Sequence, residues 1–129
     1  MALRSFAYDD PNYTLTRQFC SDKADIASSA EVFASFRSRV KVVVNSITAY
    51  IVSAASAASA VYTVLRSGSA NTTFTFDTGT AGNMTVISCA ITLESAGDLL
   101  SIKSGQGGGE YQILYEYNVI PGASLYSNQ

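Results

Sequence analysis

Beyond residue 36, apolar side chains recur at every second position, and this period of two restricts the chain more than any other feature. Ile87, Cys89, Ile91 and Leu93 share one face of residues 84–93. Tyr111, Ile113, Tyr115, Tyr117 and Val119 share one face of residues 111–120. This is the spacing of half-buried β-strands, since successive side chains of a strand point to opposite sides. Val40, Val42 and Val44 begin a third run, which Ile47, Ala49 and Ile51 continue after an irregularity at Asn45 and Ser46. Shorter runs follow at 61–65, 73–77 and 99–103. Between them stand Ser67-Gly68-Ser69, the cluster at 78–83, Ser95-Ala96-Gly97-Asp98 and the glycine-rich stretch 105–109, all turn-forming compositions. Pro121-Gly122 closes the last strand.

These runs predict an all-β domain, a jelly-roll-like β-sandwich of seven or eight strands over residues 37–129. Two sheets packed face to face bury one side of each economically. The chain has 129 residues, enough for one domain, and is 47% hydrophobic but only 14% charged, against about 25% charged in an ordinary soluble domain. Uncharged polarity comes instead from serine, threonine and eight tyrosines. Residues 42–65 carry no charge and are long enough to span a bilayer as a helix. Their many Ser, Thr, Tyr and Asn residues favour two strands instead, at 39–53 and 60–66.

The composition also excludes chemistry. There is no histidine, so a Ser-His-Asp triad, a Cys-His pair and a His-ligated zinc cannot form within one chain. Cys20 and Cys89 lack CxxC spacing and leave a disulfide open without implying one. The net charge is -2 and the eight basic residues are scattered, which argues against nucleic-acid binding. Arg37, Arg39 and Lys41 read as the solvated side of one strand. The glycine-rich stretch lacks the Lys-Ser/Thr of a phosphate-binding loop and reads as a flexible hairpin turn. Asp9 with Asp10, and Glu94 with Asp98, are carboxylate pairs close in sequence, and both fall in arm or turn. No catalytic residue, metal ligand or cofactor is therefore assigned, and the chain is read as non-enzymatic. Tyr111, Tyr115 and Tyr117 serve either the core or a subunit interface, with a sugar-stacking platform as the alternative.

Residues 1–36 differ from the rest, with neither sustained alternation nor a long helical period. They read as an extended N-terminal arm with at most one short helix, which Ser28 and Glu31 would start as a capping box. The arm's aromatic and acidic residues Phe6, Tyr8, Asp9, Asp10, Pro11, Tyr13 and Phe19 are the candidate partner-binding residues, because exposed rings are commonly buried against another protein. No secretory leader is read in the first 13 residues, so synthesis in the cytoplasm is expected.

Residues 61–117 resemble a small jelly-roll module of tailed-bacteriophage structural proteins. The resemblance rests on the turn Arg66-Ser67-Gly68-Ser69, the apolar strand 86–91, the segment Leu93-Glu94-Ser95-Ala96-Gly97-Asp98-Leu99-Leu100-Ser101-Ile102, and a closing strand ending at Tyr117. A short chain with an aromatic arm is most similar to the head decoration, or cement, proteins. That resemblance implies a virion structural protein on the capsid exterior, a homotrimer bound to the major capsid protein, with no membrane or nucleic-acid partner. The alternative it leaves is a receptor- or carbohydrate-binding β-module of a phage tail fibre.

Overall fold

A computed structural model describes residues 16–56, 59–94 and 97–120. The described residues form strands β1 (Thr16–Cys20), β2 (Ala24–Asp25), β3 (Val32–Arg37), β4 (Val42–Ser53), β5 (Ser59–Arg66), β6 (Ser69–Asp77), β7 (Met84–Leu93), β8 (Leu99–Lys103) and β9 (Glu110–Val119), with no helix among them. The front sheet has the order β1-β9-β4-β7, with β2 also on β9, and the back sheet has the order β3-β8-β5-β6. Every pairing is antiparallel. β1 and β2 flank Ser21 on the same edge of β9, so together they are one interrupted strand, and the described residues fill eight strand positions. There the Ser21 amide donates to the Ile113 carbonyl at 2.8 Å, while the Ser21 hydroxyl accepts from the Ile113 amide at 3.0 Å. The chain changes sheet at nearly every connection, which is the jelly-roll path.

The alternation places the core. Val42, Val44, Ile47, Ala49 and Ile51 of β4, with Ile113 and Tyr115 of β9, face Phe33, Phe36, Val64, Phe76, Leu100 and Ile102 of the back sheet, all buried. Each fully buried aliphatic side chain stabilises the fold by roughly 2 kcal/mol. The irregularity expected at Asn45 and Ser46 is a β-bulge, where pairing skips from Val44 to Ser46 on both neighbours. The extra residue moves the inward set from even to odd positions, from Val44 to Ile47.

The largest departure from expectation lies in the presumed arm. Its described portion, residues 16–36, is extended but woven into both sheets, with β1 and β2 on β9 and β3 on β8. No helix starts at Ser28. Glu31 does cap a neighbour, accepting the Ala27 amide at 3.0 Å, but within a turn. Phe33 and Phe36 then both face the core although three residues apart. A second bulge lies between them, with Ala34 at φ 58°. It breaks the alternation, so the strand carries a helix-like spacing and its period is hidden in the sequence. The Tyr115 hydroxyl holds this bulge by donating to the Ala34 carbonyl at 2.7 Å.

Two further differences are local. β6 begins at Ser69, not at residue 73, because Ser67 (φ 50°) and Gly68 (φ 85°) form a two-residue turn that lets Arg66 pair with Ser69 at once. Arg39 and Lys41 lie in the β3–β4 connection, not on a strand, and Arg37 ends β3.

Candidate interaction surface

Asp9 and Asp10 lie outside the described residues, while the Glu94–Asp98 pair and the glycine-rich stretch hold the fold together. Asp98 accepts from Arg66 Nη2 at 3.2 Å, Ser67 Oγ at 3.3 Å and the Glu94 amide at 2.9 Å. It thereby ties the β5–β6 turn to the β7–β8 connection. Glu94 itself pairs with Lys41 at 3.3 Å. The glycine-rich stretch is no hairpin, because β8 and β9 belong to different sheets. It is braided against residues 26–31: Ser104 donates its amide to the Glu31 carbonyl at 2.8 Å, and Gly108 donates to the Ile26 carbonyl at 2.7 Å. Bare backbone lets it approach so closely, since Gly107 packs directly on the Ala27 carbonyl.

The tyrosine face lies inside the sandwich. Tyr111 and Tyr115 are buried, and burial pushes the Tyr115 hydroxyl above its usual ionisation range. Tyr117 is half-buried, with its ring 4.9 Å from that of Phe36. These three rings therefore form no exposed stacking platform. Among the described residues no group of three or more His, Cys, Asp or Glu could hold a metal ion. No described helix is long and apolar enough to cross a membrane, and most of the uncharged stretch 42–65 is β4 and β5.

Cys20 lies exposed on β1 and Cys89 on β7, with β9 and β4 between them. Three strand spacings are about 14 Å, twice the roughly 7 Å limit for a disulfide. Cys89 points inward, with its Sγ 3.4 Å from the Val44 carbonyl oxygen. Burial pushes this thiol up to about 11. A thiol reagent at pH 8 is expected to label Cys20 at once and Cys89 only after denaturation. The folded state holds the Cys89 proton more tightly than the unfolded chain. Its contribution is therefore full below about pH 9, the ordinary thiol value, and is lost as the pH rises toward about 11. Wild type should accordingly lose more stability over that interval than Cys89→Ala, by about 1 kcal/mol once the screening of a half-exposed thiol is allowed for. Parallel urea titrations check this, and equal losses would place Cys89 in water.

What the fold exposes is a pattern the sequence reading passed over. Of the candidate partner-binding residues, Phe6, Tyr8, Asp9, Asp10, Pro11 and Tyr13 lie outside the described residues. Phe19 lies on β1, 37% exposed, with its ring 5.2 Å from Phe36 and 6.5 Å from Tyr115. It is both a lid on the core and part of the sheet edge. Across the outer side of the front sheet, the register aligns Cys20, Leu114, Thr48 and Val86 in one row, and Gln112, Tyr50 and Met84 in the next, with Thr48 buried and Leu114, Gln112 and Tyr50 half-buried. None of these residues is charged. Met84 and Val86 are 56% and 58% exposed on the edge strand β7. The signal for this patch was present in the sequence, because Val86 breaks the alternation by being apolar on the solvent side of an uncharged ten-residue strand.

No family model matches the chain, and no curated protein matches it significantly. Among solved structures it is similar to a Bacillus endospore appendage protein, described as one of a novel family of disulfide-linked pili. That match has 13% identity and a TM-score of 0.43, and covers 94% of this chain and 99% of the other. It is also similar to part of dimeric latent PorU from Porphyromonas gingivalis, with 11% identity and a TM-score of 0.42. There 83% of this chain corresponds to 13% of the PorU chain.

Proposed function

We propose that the chain is a non-enzymatic structural subunit of a virion, a decoration (cement) protein that forms a homotrimer on the outside of a phage capsid and binds the major capsid protein. The observation that supports a structural role is the division of labour between inside and outside. Glu94 with Asp98, the glycine-rich stretch and the tyrosine face serve internal cohesion, while the outer side of the front sheet offers an uncharged strip around Tyr50, Met84 and Val86. Surfaces of this kind suit dry subunit contacts, in which charged residues are depleted. The capsid as partner rests on the resemblance carried by residues 93–102 and on the aromatic residues Phe6, Tyr8 and Tyr13, which can bury large rings on a partner. The carbohydrate-binding alternative loses the three tyrosines it would have used, since their rings pack in or against the core.

The test is co-sedimentation of the 129-residue chain with shells assembled from the major capsid protein of a phage whose genome encodes this sequence. Wild type should pellet with the shells. A Phe6→Ala, Tyr8→Ala, Tyr13→Ala triple variant should bind at least 100-fold more weakly, because several anchor rings are lost together. Wild type left in the supernatant would end the decoration reading, and undiminished binding by the variant would remove the arm from it.

A further inference from the structure

The two edges of the front sheet match each other, and we infer that β7 of one copy pairs with β1 of the next, joining their front sheets into one antiparallel sheet. The inference rests on the reading of the chain as an assembly subunit and specifies the contact between copies.

Polarity comes first. Along the order β1-β9-β4-β7 every neighbour is antiparallel, so β1 and β7 run in opposite directions. A second copy displaced sideways, without being turned over, therefore brings its β1 against β7 in an antiparallel sense. A heterologous contact of this kind closes into a ring when the rotation between copies permits and otherwise grows into a filament.

Hydrogen-bond parity agrees. The Ile51 amide donates to the Asn83 carbonyl at 2.9 Å. Backbone groups alternate in direction along an antiparallel strand, so those of Met84, Val86 and Ser88 point away from β4. At the opposite edge the Ser21 amide donates to the Ile113 carbonyl at 2.8 Å, which turns the groups of Gln18 and Cys20 away from β9. All five side chains lie on the outer side of the sheet and are exposed. Residues facing each other in a ladder must share a side, and these do.

Side chains complete the fit. Continuing the existing rows without stagger sets Cys20 opposite Val86 and Gln18 opposite Ser88 on the outer side. On the inner side it sets Phe19 opposite Ile87, so the part-exposed Phe19 ring gains an apolar neighbour. Among the described residues neither edge is covered by a further strand, and neither contains a proline or a lysine. β7 has no charge and no proline over ten residues, and β1 has one charge, Arg17. Strand addition of this kind draws its affinity from main-chain bonds and its register from alternate side chains.

The experiment uses the whole 129-residue chain. Light scattering should show a concentration-dependent oligomer. Val86→Lys, at an exposed position, should weaken association at least tenfold with an unchanged circular dichroism spectrum. In a Val86→Cys variant treated with diamide, the new thiol at position 86 should join Cys20 of another copy, identified by peptide mass spectrometry, and Cys20→Ser in that background should abolish the link. Facing residues of a hydrogen-bonded antiparallel pair have Cα atoms about 5.5 Å apart, within disulfide reach. A monomer at every concentration overturns the inference. So does a link between two copies of position 86, which would mean β7 against β7. A monomer that associates only when residues 1–15 are removed would show that segment covering β7, and overturns it as well. Self-association through this contact without shell binding would refute the decoration reading alone, and a monomer that binds shells would refute the contact and the homotrimer but leave the capsid as partner.

Discussion

Gly105→Ala is expected to destabilise the sandwich by at least about 3 kcal/mol, the scale of severe overpacking in a core. A Cβ added at Gly105 would stand 1.9 Å from the carbonyl oxygen of Val61 and 2.9 Å from its carbonyl carbon. Both atoms are backbone, and β5 is fixed on either side by β6 and β8. The glycine stretch cannot retreat either. Next to it, the Ser104 hydroxyl donates to the Ser28 carbonyl at 2.8 Å and accepts the Glu31 amide at 2.9 Å. The Gln106 side chain also reaches Thr78 Oγ1 at 2.9 Å. Gly68 provides the contrast. Nothing lies within 4 Å of its added Cβ, and only its φ of 85° resists substitution, so Gly68→Ala should cost about 1–2 kcal/mol. Urea unfolding of the two variants separates steric from conformational strain. A loss below 1 kcal/mol at Gly105 would mean that the stretch is a loose turn after all.

Phe36→Ala should be comparably severe, at about 3–5 kcal/mol. Phe36 is 4% exposed and is the hub of a ring cluster, with centroids 5.2 Å from Phe19, 5.7 Å from Tyr115 and 4.9 Å from Tyr117. Truncation removes the ring that joins the back sheet to β1 and β9 of the front sheet. It should therefore act on assembly as well as stability, because Phe19 would lose the partner that seats β1. Hydrogen exchange of the β1 amides should accelerate before the remainder of the sheet is affected. Phe36→Leu, which keeps most of the apolar volume, should retain more than half of the lost stability. Uniform acceleration across both sheets in the alanine variant would show that β1 is not specifically held by this cluster.

Legibility from the sequence varied with how local the physical cause was. β7 and β8 match their expected bounds, because a clean alternation and turn-forming residues on both sides depend only on neighbouring residues. The β4 bulge was visible as a break in a long run of β-branched residues. β3 was not, since its bulge sets Phe33 and Phe36 three residues apart and imitates one face of a helix. β1 was hidden for another reason. Its residues are mostly exposed, so there is little hydrophobic period to read, and pairing with β9 some 100 residues away holds it in place. The glycine stretch looked flexible because composition records the permission to bend. The contacts that immobilise it come from residues 26–31 and 78.

The candidate site divides in the same way. The aromatic and acidic residues from Phe6 to Tyr13 stood out by composition alone. Val86 and Met84 drew no notice, since an apolar residue in a strand is ordinary until its side of the sheet is known.

What the amino-acid order decided by itself is the material of this protein: a two-sheet β-body with its inward faces chosen by alternation, and a residue set without histidine that excludes the common catalytic and zinc chemistries. Which strands lie at the sheet edges is a different kind of fact. It depends on pairings between residues far apart in the chain, and alternation is equally satisfied by a central strand or an edge strand. Only the tertiary arrangement puts β1 and β7 at opposite ends of one sheet among the described residues, with opposed directions and matched parity, and so makes two unremarkable strands the basis of the proposed contact.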